Sequence, residues 1–166
     1  MQSIKRDIYL QRLKDREQNG LVKIVTGIRR CGKSYLLNTL FYEYLKEKGV
    51  KDDHIIKISL DDDENSDLLL PKALSRYIKN LIVDDELYYV LLDEIQLADN
   101  FVGVLNGLLK LPNVDIYVTG SNSKFLSTDI VTEFRGRGDE VRILPLSFSE
   151  FMSVYNGSSV QGWKEY

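Results

Sequence analysis

Hydrophobic positions along this chain switch repeatedly between two periods. Leu21-Val22-Lys23-Ile24-Val25-Thr26 is a short β-branched run that predicts a strand. Leu36, Leu37, Leu40, Phe41, Tyr44 and Leu45 then recur at helical spacing until Gly49, a natural helix stop. The alternation repeats. His54 to Leu60, Leu87 to Leu92, Val114 to Thr119 and Glu140 to Leu144 predict four more strands. Between them, Leu70, Ala73, Leu74, Tyr77, Ile78 and Leu81 mark one helix, with Pro71 suited to its first turn, and Phe101, Val104, Leu105, Leu108 and Leu109 mark another. Ile4, Ile8, Tyr9, Leu10 and Leu13 predict a helix over 2–17, and Phe148, Phe151, Met152 and Tyr155 an apolar helix face near the end. Strands alternating with helices in this rhythm predict an α/β fold, a three-layer sandwich on a mainly parallel sheet.

The connection between the first strand and its helix carries chemistry. Residues 27–34 read Gly-Ile-Arg-Arg-Cys-Gly-Lys-Ser, a complete G-x-x-x-x-G-K-[ST] loop in the strand–loop–helix context that it requires. Gly27 and Gly32 allow backbone angles and close approaches that a side chain forbids. Successive N–H groups then form an anion-binding concavity, to which the helix beginning near Lys33 adds its positive end. Lys33 is expected to reach the β- and γ-phosphates of a nucleotide and Ser34 to ligate Mg²⁺. The candidate nucleotide-contacting set is Gly27, Ile28, Arg29, Arg30, Cys31, Gly32, Lys33, Ser34 and Tyr35. Arg29 and Arg30 either add positive potential near the phosphates, touch a partner's anion, or are solvated loop residues without chemistry of their own. Cys31, at a helix start, reads as a thiol open to alkylation without a catalytic role.

The third strand runs directly into Asp93-Glu94, and the fourth ends at Gly120-Ser121-Asn122-Ser123. In a parallel sheet the ligand crevice lies beyond the carboxyl ends of the strands, so Gly27, Asp93 and Ser121 are expected to converge there. Asp93 is the candidate second metal residue beside Ser34. Glu94 is the candidate group that orients or activates attacking water. Ser121 or Asn122 is placed to hydrogen-bond the γ-phosphate or that water. Glu133, Arg135 and Arg137 form a further group: either an arginine, from the same chain or a neighbour, neutralises charge that develops on a γ-phosphate during transfer, or the segment is a glycine-rich loop with solvated arginines.

Composition narrows the setting. With 166 residues, 43% hydrophobic and 28% charged, the chain fits one domain with a real core. One cysteine excludes a disulfide framework and suits a reducing cytoplasm. Neither a signal-peptide core nor a membrane-length apolar run is present, so no membrane role is expected. A net charge of −3 argues against a broadly basic nucleic-acid surface. The run Asp61-Asp62-Asp63-Glu64 reads as a solvated loop, and His54, the sole histidine, as structural or exposed.

Taken in order, the Leu21–Ser34 segment, Leu91-Leu92-Asp93-Glu94-Ile95-Gln96, Val118-Thr119-Gly120-Ser121-Asn122-Ser123, Gly136-Arg137 and Leu144-Pro145-Leu146-Ser147-Phe148 with Glu150-Phe151 resemble the N-terminal ATPase module of the bacterial and archaeal AAA-type family. The resemblance implies a P-loop NTPase sheet of order 5-1-4-3-2, ATP and Mg²⁺ as cofactors, Asp93 and Glu94 as the acidic pair, and Ser121 or Asn122 as the γ-phosphate sensor. It implies a division into a core over 1–146 and the start of a C-terminal subdomain over 147–166. Full-length members usually continue into a winged-helix-like region and a nuclease-like domain. The helical lid of AAA-type proteins is not found within these residues, so the chain reads as a fragment with weak turnover. ATP and ADP are the expected ligands, a homo-oligomer is expected of the full-length form, and nucleic acid would be reached through the further domains. Besides ATP hydrolysis, a slow nucleotide-dependent switch fits the same residues. A small-molecule kinase would need an acceptor pocket, and a GTPase an Asn-Lys-x-Asp motif that the chain lacks.

Overall fold

A computed structural model describes residues 4–121, 134 and 136–166. Five strands form one sheet: β1 (Val22–Thr26), β2 (Ile55–Ser59), β3 (Tyr88–Asp93), β4 (Val114–Thr119) and β5 (Gly138–Arg142). Their spatial order is β2-β3-β4-β1-β5 and every neighbouring pair is parallel, as the sequence predicts. Every residue of β1 and of β3 is buried. That is the signature of parallel strands covered on both faces.

The two faces separate by the period of two. Val22, Ile24, Val90, Leu92, Ile116 and Val118 pack under α4 (Pro71–Leu81) and α5 (Phe101–Leu108). Val25, Tyr89, Leu91 and Tyr117 pack under the helix that follows the glycine loop. That helix is composite: α2 (Lys33–Tyr35), a π-helical stretch (Leu36–Phe41) and α3 (Tyr42–Glu47). Phe41 clamps it to the sheet, fully buried and 4.4 Å from the Tyr117 ring. Truncating so enclosed a side chain costs roughly 3–5 kcal/mol.

Several boundaries differ from expectation, most of all those of α1 and β5. α1 is only Asp7–Lys14, because Arg6 is held at φ −98°, ψ 55° by contacts elsewhere in the fold. β5 runs Gly138–Arg142 rather than Glu140–Leu144, because its pairing with β1 begins at Val22↔Gly138 and ends at Thr26↔Arg142. After β5 come two short helices, α6 (Phe148–Met152) and α7 (Ser159–Glu165), each opened by a capping box, Ser147 with Glu150 and Ser158 with Gln161. Their aromatic residues pack together, with Phe148 edge-on to Trp163 at 4.9 Å. No helix among the described residues is long and apolar enough to cross a membrane.

Candidate functional site

Sheet order brings the carboxyl ends of β1, β4 and β3 side by side, and the sequence-predicted loop residues lie there. Gly27 is confined to glycine by its surroundings. A Cβ would sit 2.6 Å from the Ile143 carbonyl oxygen and 2.7 Å from Cys31 Sγ. Gly32 has φ 94° and precedes the first helical residue. Arg30 holds a left-handed φ of 64° without being glycine, a conformation found mostly where the surroundings impose it. Arg29 and Arg30 are exposed, and Ile28 is 57% exposed. Tyr35 is half-buried against the core below the loop helix. Cys31 corrects the sequence reading: it is packed under Gly27 at 5% exposure, which closes it to alkylating agents.

Lys33 turns back into the loop. Its Nζ donates to the carbonyl oxygens of Gly27 at 3.0 Å and Ile28 at 2.8 Å, and the residue is 4% exposed. Among the described residues no carboxylate pairs with this ammonium. A buried cation held only by neutral groups, here two carbonyls and the Cys31 sulfur at 3.9 Å, is costly, and an anion in the loop relieves that cost.

Asp93 presents the opposite problem at the end of β3, two strands from β1. Its side chain is buried, with Oδ1 accepting from Ser34 Oγ at 3.0 Å and from Thr119 Oγ1, and Oδ2 accepting from Asn38 Nδ2 at 3.2 Å. Burial raises its pKa above the ordinary carboxylate value, the Glu94 and Asp61 charges add to the rise, and the Thr119 and Ser34 hydroxyls oppose it. No cation pairs with it among the described residues. Asn38 lies one turn after Ser34, and its Oδ1 is buried without a partner. A buried orphan acceptor next to an unpaired carboxylate and a serine hydroxyl is a donor set suited to a hydrated hard cation.

Glu94 follows in a left-handed conformation, φ 55°. Its N–H donates to Thr119 Oγ1 at 3.0 Å, so one threonine positions both members of the acidic pair. The Glu94 carboxylate accepts from Ser121 Oγ at 2.8 Å and from Gln96 Nε2. Ser121 is therefore brought to the site. Asn122, Glu133 and Arg135 lie outside the described residues.

Arg137 is not brought to this site. Val22 N–H donates to the Arg137 carbonyl at the amino end of β1, and the Arg137 guanidinium donates to Asn106 Oδ1 at 3.0 Å. Five residues of strand, about 16 Å, separate that end from Gly27. An arginine so placed cannot reach the loop of its own chain.

Sequence reasoning missed Thr119, Asn38, Gln96 and Arg6. Thr119 was legible as a polar residue ending an apolar strand, and Asn38 as a polar residue one turn beyond Ser34 on a helix otherwise packed with leucine. Arg6 carries no local signal.

Comparison with known proteins agrees with this geometry. An uncharacterised protein of Haemophilus influenzae is 33% identical over 157 residues, covering 94% of this chain and 39% of its own length. One from Methanocaldococcus jannaschii is 34% identical over 160 residues, covering 92% and 32%. The chain thus spans about a third to two fifths of the length of the relatives that it matches. Among solved structures, the Walker-type ATPase of Pyrococcus abyssi superposes with a TM-score of 0.62 at 17% identity, covering 98% of this chain and 62% of that one. That likeness establishes the P-loop ATPase fold. The profile of the AAA domain family matches residues 19–152, and this chain belongs to that family.

Proposed function

We propose that this domain binds ATP with Mg²⁺ and hydrolyses it. One observation carries the reading: Lys33, a buried ammonium without an anion among the described residues, and Asp93, a buried carboxylate without a cation among them, flank the same serine. A nucleotide polyphosphate with its divalent ion supplies both missing charges. The N–H groups of the Gly27–Ser34 loop and Lys33 Nζ bind the phosphates. Ser34 and Asp93 hold the metal, with Asn38 Oδ1 accepting from its water shell. The ion, when bound, neutralises phosphate oxygens that gain charge during transfer. Glu94 takes the proton of the attacking water, and Ser121 or Asn122 senses the γ-phosphate.

A slow switch is the second reading, and one contact favours it. Both Glu94 carboxylate oxygens already accept bonds from Ser121, and one of them also from Gln96. These three bonds occupy most of the carboxylate's acceptor sites, which favours slow turnover. For longer proteins of this kind we extend the proposal to a cytoplasmic homo-oligomer. There residues 147–166 open the next subdomain, Arg137 completes a neighbour's site, and nucleic acid is met through a nuclease-like domain.

A multiple-turnover phosphate-release assay separates the two readings. Glu94→Gln keeps the shape but loses the charge, so ATP still binds and hydrolysis falls by about two orders of magnitude or more. Parental turnover in that variant places the base elsewhere. Tight binding with no sustained release in the parent favours the switch.

A further inference from the structure

Arg6 lies just before α1 and is 3% exposed, yet its guanidinium joins three distant segments. Nη1 donates to the Cys31 carbonyl at 2.6 Å, Nη2 to the Leu144 carbonyl at 2.8 Å, and Nε to Glu150 Oε1 at 3.1 Å. Its carbon lies 4.5 Å from the Tyr9 ring centroid. A planar fork of five donors serves three acceptors at once, whereas the point charge of a lysine cannot span them.

The Cys31 contact bears on the phosphate loop directly. In a trans peptide the C=O and the following N–H point in opposite directions. Anchoring the Cys31 oxygen on Arg6 therefore fixes where the Gly32 N–H points, on the side away from the guanidinium. Gly32, at φ 94°, is the residue least able to resist a flip of that peptide by itself. A Cβ there would sit 3.4 Å from Arg6 Nη1, so the guanidinium lies within van der Waals reach of the loop's back. A flipped peptide would turn a carbonyl oxygen, not a donor, toward phosphate.

Glu150 gives the anchor its second end. It belongs to the capping box of α6, where its carboxylate also accepts from the Ser147 N–H at 2.8 Å. α6 packs on α7 through Phe148 and Trp163, and Trp163 is the only tryptophan. A shift of these helices moves Glu150, and with it the guanidinium that holds Cys31.

We propose that Arg6 is a positioning residue of the phosphate loop, and that Glu150 makes its grip depend on the docking of α6 and α7. Nucleotide binding and the C-terminal helices are then coupled through one side chain. Coupling of this kind is reciprocal, so nucleotide must also change the environment of α6 and α7. The inference rests on the nucleotide-binding reading.

The 166-residue chain provides the test. Mg-ATP is titrated into the parent, Arg6→Lys and Glu150→Gln, with calorimetric affinity and Trp163 emission read on the same samples. Melting without nucleotide confirms that each variant is folded. In the parent, emission changes with the calorimetric midpoint. Arg6→Lys and Glu150→Gln weaken binding by about tenfold, inside the usual range of coupling energies, and lose the emission change even at saturation. A merely structural arginine would lower the melting temperature and leave the saturated emission change intact. Folded variants that bind within about twofold of the parent and keep the full response overturn the proposal. Should Arg6→Lys fail to fold, Glu150→Gln alone decides. A parent that binds no nucleotide removes the functional reading itself, an outcome seen without any substitution.

Discussion

Asp115→Asn tests how the two strands that carry the loop and Ser121 are locked together. Lys23 on β1 and Asp115 on β4 form an ion pair with side-chain exposures of 0% and 4%. Tyr117 OH donates to the same carboxylate at 2.9 Å and Gln18 N–H at 3.0 Å. The substitution leaves a buried ammonium beside a neutral amide. Lys23 Nζ keeps the Leu21 carbonyl at 2.8 Å, so it stays hydrogen-bonded but is no longer neutralised. Breaking a buried pair from one side costs about 3–5 kcal/mol. For 166 residues the unfolding entropy is roughly 0.35 kcal/mol per kelvin, so the melting temperature should fall by about 9–14 °C. Circular dichroism melts at neutral pH measure it. Replacing both partners with apolar residues, Lys23→Met with Asp115→Leu, should recover part of the loss, because no orphan charge remains although the Tyr117 hydroxyl and the Gln18 N–H lose their acceptor. A fall below about 3 °C for Asp115→Asn, or strict additivity in the double variant, would refute the assignment of this pair as a buried lock.

Two further outcomes are expected. The His54 ring lies between Asp53 at 2.7 Å and Asp84 at 3.2 Å, and Glu86 is 3.3 Å from Nε2. Asp53 first and Asp84 second hold its pKa above the ordinary 6.5, against the effect of burial. The imidazolium's contribution to stability is therefore complete below about 6.5 and is lost as pH rises through the raised folded value. The melting-temperature advantage of the parent over His54→Gln should shrink across that window, and a constant difference would contradict it. If Arg137 acts on a neighbour, hydrolysis per subunit rises with protein concentration, Arg137→Ala abolishes the rise, and added Glu94→Gln subunits restore turnover to it. No restoration despite co-assembly removes the role.

Much of the fold was legible because parallel strands buried on both faces read as continuous apolar runs, as Tyr88–Asp93 does. The glycine loop and Asp93-Glu94 were equally plain, being local patterns at strand ends. β5 was misplaced by two residues because it is an edge strand with one partner. Gly138 and Asp139 enter the ladder through pairing with Val22 and Lys23, not through their own apolar character. Thr119 and Asn38 escaped notice for a different reason. Each is polar in an apolar element, and only the neighbouring strand or helix reveals that both aim at one carboxylate. Arg6 is the extreme case, since its partners lie 25, 138 and 144 residues away in sequence.

Calorimetric titration of Mg-ATP into the parent and Lys33→Ala tests the central claim most directly. Lys33 Nζ donates to the Gly27 and Ile28 carbonyls and lies 3.9 Å from Cys31 Sγ, so its removal breaks no ion pair among the described residues and the fold should persist. Truncating one partner of a hydrogen-bonded charge pair costs about 2–5 kcal/mol of binding, so affinity should drop by roughly thirtyfold or more. Unchanged affinity in a folded Lys33→Ala protein would contradict the phosphate-loop account.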